Sequence, residues 1–128
     1  MSYSVSYIKE EGYVAVEVSG EPLPSEHANA RGEAMRLCAE MQCSRLLVDL
    51  RSLRSIHSTT LSCFSFGVAL AHDLAGVFIA HVLPVDPKSQ EDVKFTATVA
   101  ANRGAVTREF EDINEAKQWL RELSPPDK

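Results

Sequence analysis

The sequence has no long apolar run, no excess of basic residues and few cysteines, and each shortage closes off a class of protein. No stretch approaches the roughly 18 consecutive apolar residues that a membrane-spanning helix needs. The opening "MSYSVSYIKEEG" has neither a basic start nor an apolar core, so no secretory leader is expected. Thirteen Lys and Arg stand against 18 Asp and Glu, a net charge of −5. That balance disfavours a broad nucleic-acid surface or an anionic membrane face. The three cysteines, Cys38, Cys43 and Cys63, are odd in number and lack CxxC spacing, which excludes a disulfide framework and argues against zinc. Free thiols within apolar patterns suit a reducing, cytoplasmic setting. GxSxG, the P-loop and GxGxxG are all missing, as are internal repeats and low-complexity segments. Neither a metal nor a cofactor is expected.

What remains is an ordinary globular composition, 45% hydrophobic and 24% charged over 128 residues. Such a chain forms one domain and buries roughly two-thirds of its unfolded surface without a staple. The domain is expected over residues 1–124, with 125–128 a flexible tail. Tyr3, Val5 and Tyr7 alternate, as do Val14, Val16 and Val18, with Glu10-Glu11-Gly12 between them, which predicts a hairpin. Ser25 is the expected N-cap of a helix with Ala30, Ala34, Leu37 and Met41 on one face.

"RLLVDL", Arg45 to Leu50, is a short continuous apolar run, as expected of a strand covered on both faces. After it comes a helix whose apolar stripe reads Leu61, Phe64, Val68, Ala71 and Ala75, stopped by Gly76. Ser65 would lie against that stripe, where a charge is costly. Val77 to Leu83 is a second buried strand. Asp86-Pro87 supplies a cap and a proline at the first position of a helix to about Asn102. "AVTREF" predicts a marginal strand, and Asp112 caps a last helix with Glu115 as capping-box partner and Ile113, Ala116, Leu120 and Leu123 buried. Strands alternating with helices require a parallel sheet with helices packed on it, and the opening hairpin makes that sheet mixed. The class is α/β.

One stretch carries most of the candidate chemistry. Asp49, Arg51, Arg54, His57, Ser58, Thr59 and Thr60 gather where a helix starts beyond a core strand, the usual ligand edge of an open α/β sheet. Free N–H groups and the positive dipole end favour an anion there, and the arginines and histidine add donors. A plain N-cap with solvated arginines explains one hydroxyl but not three, so capping and a binding or switching role both stay open. His57 or Asp49 doing acid–base work would make the chain an enzyme instead. The same helix has more apolar surface than one stripe hides, so Phe66 and Leu70 are expected to line a pocket or a homodimer contact. His81, inside an apolar strand, is a core or pocket-lining histidine, and Trp119 a packing residue.

Read in that order, "RLLVDLRSL", "STTLSCFSFGVALAHDL" and "VAANRGAVTREFEDINEAKQWL" resemble the SpoIIAA-like branch of the STAS superfamily, the anti-sigma-factor antagonists and their relatives. The resemblance spans about Tyr3 to Leu123. It implies a single-domain SpoIIAA-like, STAS-related fold in a bacterial regulatory or binding module, docking a protein partner or a small anionic or lipid-like ligand near residues 49–60. In the antagonists a phosphorylatable serine opens the helix after the second core strand, in a D-S-S-G context. At that place this chain has His57-Ser58-Thr59-Thr60, without the acidic residue, the paired serines or the glycine. The resemblance therefore transfers a location and not the phosphorylation motif.

Overall fold

The computed structural model describes residues 3–54 and 59–123. Its elements are β1 (Tyr3–Ile8), β2 (Tyr13–Gly20), α1 (Pro24–Glu40), β3 (Arg45–Leu53), α2 (Thr60–Asp73), β4 (Phe78–Val82), α3 (Pro87–Asn102), β5 (Val106–Phe110) and α4 (Ile113–Glu122). The strands form one mixed sheet in the order β1-β2-β3-β4-β5. β1 pairs antiparallel with β2, and every later pairing is parallel. Tyr7 faces Val14 and Val5 faces Val16 across the hairpin, which turns at Gly12 with a left-handed φ of 76°.

Spatial order equal to chain order has a consequence for layering. Successive crossovers of one hand must carry α1, α2 and α3 to the same face of the sheet. Ala30, Ala34, Leu70, Val93 and Ala100 from those helices accordingly pack with Val14, Val16, Leu46 and Ile79. The opposite face belongs to α4, whose Ala116 and Leu120 pack with Tyr13, Leu47, Ala80 and Phe110. Trp119 supports Phe110 from that side, the rings 5.8 Å apart.

The helix starts show how local chemistry sets boundaries. α1 begins one residue before the expected cap: Leu23, not Ser25, is its N-cap. Pro24 has φ pre-set for the first turn, and the Glu26 carboxylate reaches back to accept from Leu23 N at 2.8 Å, so the helix start is fixed without a side-chain cap from Ser25. Asp86 caps α3, accepting from Ser89 N, and Asp112 caps α4, accepting from Asn114 N. At the other end of α1, Met41 is not on the buried stripe; it is the C-cap, and Cys38 fills the buried position.

Two further expectations are corrected. β3 runs on to Leu53 because Ser52 and Leu53 still pair with Ser19 and Gly20 of β2. In α2 the buried stripe is Cys63, Gly67, Leu70 and Ala71, leaving Leu61 72% and Phe64 39% exposed. Gly67 decides this phase. A Cβ there would lie 2.7 Å from the Thr96 carbonyl oxygen and 2.8 Å from Val99 Cβ, so α2 and α3 cross in close contact through the bare glycine. Ser65 is consequently exposed and does not lie against the core.

Candidate functional site

α2 packs far more extensively on α3 than on any strand. Held at that height, it leaves a cavity of about 170 Å³ between itself, α1 and the sheet. Val16, Val18 and Leu50 form the sheet side, and Phe66 and Leu70 come from α2. An apolar cavity of roughly 150 Å³ is enough to hold benzene.

Its polar wall is sparse. His81 projects from β4 on the same sheet face as Val48, its register partner, and is 7% exposed. Nδ1 lies 3.0 Å from Thr107 Oγ1 on β5, and Nε2 has no partner among the described residues. Burial pushes its pKa down to about 4, so the imidazole is neutral near pH 7. Glu109 stands opposite His81 in the register. Burial raises its carboxyl, with Lys94 opposing. His27 on α1 meets Phe66 edge-on at 5.8 Å, and its Nε2 is buried without a partner among the described residues. Burial lowers its pKa as well, with Glu26 opposing and Arg31 assisting. Arg31 also lines the cavity, 5.0 Å from the Phe66 centroid, with its charge matched by Asp73 at 2.9 Å.

The residues expected at the ligand edge are distributed differently. Asp49, with Leu47, faces the α4 side of the sheet. Its carboxylate takes Arg51 in a two-pronged pair at 2.8 and 2.9 Å and also accepts from Arg51 N. Burial pushes the Asp49 carboxyl up, but the Arg51 bonds and charge outweigh it, with Lys117 helping, and hold it below the usual range. Arg54 closes the strand through its backbone, donating N–H to Gly20 O, while its carbonyl accepts from Ser89 Oγ. Thr59 is the N-cap of α2: Oγ1 accepts from Ser62 N at 3.1 Å, and Thr59 N donates to Ser62 Oγ at 2.8 Å. Thr60 is the exposed first residue of that helix. His57 and Ser58 lie outside the described residues.

The sheet thus separates the Asp49–Arg51 pair from Phe66 and Leu70, while Thr59 and Ser62 consume each other's capping groups. His27, Arg31 and Thr107 were not marked by sequence reasoning. His27 carried a signal, since it precedes Ala30 and Ala34 by three and seven residues and shares their face. Thr107 carried none, because its meeting with His81 depends on the β4–β5 register. Among the described residues, no group of His, Cys, Asp or Glu is placed to hold a metal ion. Nor is any helix among them long and apolar enough to cross a membrane.

The chain has a SpoIIAA-like α/β fold. It is similar to the crystal structure of an uncharacterized protein of the DUF3478 family with a SpoIIAA-like fold from Shewanella loihica PV-4. The two share 16% identity over 92% of this chain and 91% of that one, with a TM-score of 0.54. No protein-family model and no curated protein matches the sequence.

Proposed function

We propose that the protein is a non-enzymatic binding module whose ligand site is the cavity beneath α2. The observation that carries this reading is an apolar pocket of about 170 Å³ between α1, α2 and the sheet. An apolar pocket that reaches this far under a helix leaves its lining atoms short of dispersion contacts, which a ligand of matching shape would supply. The expected anion site at the helix start has less support, because Asp49 and Arg51 neutralise each other and Thr59 is engaged as a cap. Small apolar compounds should raise the melting temperature of the wild type by roughly 4–7 °C at ten times Kd. Ala34→Leu, which places a larger side chain at the cavity wall, should abolish the rise. If no compound of benzene size stabilises the wild type, the reading fails.

Docking of a protein partner is the second reading, favoured by a shallow groove on the outer side of α2. Thr59, Leu61, Ser65 and Arg31 line it, and Leu61 is 72% exposed. Affinity capture with the wild type and with a Ser58/Thr59/Thr60 triple alanine tests it. A partner held equally by both places docking elsewhere.

A further inference from the structure

The cavity's charges and hydrogen-bonding groups narrow what it can take. Building on the reading of the cavity as the ligand site, we infer that its ligand is a small neutral aromatic molecule carrying one hydroxyl, the ring enclosed by Leu50, Leu70 and Phe66 and the hydroxyl on Nε2 of His81.

Four observations support this class. The volume matches a single six-membered ring and is too small to take up a whole long acyl chain. The charge on the wall is already matched: Arg31 is bound to Asp73, whose other oxygen lies 3.0 Å from His72 Nδ1. An anionic ligand would therefore be buried without a free countercharge, which is costly. Both wall histidines have their pKa lowered by burial and present neutral rings. His81 is more than nine-tenths buried, lines the cavity and has one ring nitrogen engaged by Thr107 while the other lacks a partner among the described residues. A neutral imidazole offers either a donor or an acceptor at Nε2, according to its tautomer. A hydroxyl both donates and accepts, so it satisfies either form; a carbonyl or an ether satisfies only one.

The test is titration of the full chain with phenol, toluene, benzoate and oleate, read by calorimetry and by the imidazole ¹⁵N resonances of His81. Phenol should bind about tenfold more tightly than toluene, shift the Nε2 resonance of His81, and leave benzoate and oleate without measurable binding. His81→Leu should keep toluene and lose the preference for phenol. Because that substitution alters a buried position, the wild-type ¹⁵N shift is an independent readout that needs no variant. Equal binding of phenol and toluene with an unmoved His81 resonance would overturn the inference while leaving the cavity as the ligand site. Binding of neither would overturn both. Preferential binding of benzoate or oleate would overturn the neutral, single-ring class.

Discussion

His81 couples the interior of the sheet to pH. Its folded pKa of about 4 lies below the value of about 6.5 expected in the unfolded chain. Between those values the unfolded state binds a proton that the folded state refuses. Stability is therefore complete above about pH 6.5 and is lost as pH falls toward 4, by about 3 kcal/mol in total. His27, also lowered, acts in the same sense. Glu109, raised by burial, acts in the opposite sense, its contribution fading as pH rises through its folded value. Urea unfolding at pH 7 and pH 4.5 should show the acid loss in the wild type and a smaller loss in His81→Leu. The α2 cap offers a second residue-level check. Thr59→Ala should cost about 1 kcal/mol, whereas Thr59→Asp keeps an acceptor for the Ser62 N–H and meets the positive end of the helix, so it should be nearly neutral. Ser65→Asp, on the exposed side, should stay within about 0.5 kcal/mol. Thermal melts of the three variants separate these outcomes.

Among the elements, α2 depends most on a single position. Gly67→Ala gains intrinsic helix propensity of about 1 kcal/mol, yet its methyl collides with backbone and a β-branched side chain on α3. The collision should win, with a net loss of about 1–3 kcal/mol in chemical denaturation. The same residue explains why the sequence pattern points to a different stripe on α2. Leu61, Phe64, Val68 and Ala71 make a more hydrophobic stripe than Cys63, Gly67, Leu70 and Ala71, and both have helical spacing. Only the closeness of α3 chooses between them, and closeness rewards the absent side chain. Elsewhere the element types were legible, because alternation in Val14–Val16–Val18 and the proline and aspartate punctuation at Asp86-Pro87 are local signals. The site was legible only in part. Phe66 and Leu70 stand out as surplus apolar residues, but the Asp49–Arg51 pairing emerges only once β3 continues past Leu50, placing both side chains on one face.

At the scale of the whole molecule, the two faces of the sheet are unequally covered. Three helices guard one face, while the other relies on α4, anchored by the fully buried Ala116 and Leu120. A chain ending after Glu111 would expose Tyr13, Leu47, Ala80 and Val82 as one apolar patch, the kind of surface that drives association. That truncation should aggregate during purification, as measured by light scattering, whereas Leu120→Ala alone should fold with a loss of about 2–5 kcal/mol.

The strand order also bears on synthesis. A ribosome delivers β1 first, and each later strand finds its neighbour already made, so pairing advances across the sheet in the direction of translation. After the hairpin, each strand closes a loop that holds one helix before it pairs, so the loop-closure cost is similar from step to step. The face that α4 covers is the exception: it grows with each strand and is sealed only when the helix after β5 has emerged. A nascent chain would thus be most in need of a holding chaperone between the emergence of β5 and that of α4, when the sheet is widest and one side is still bare.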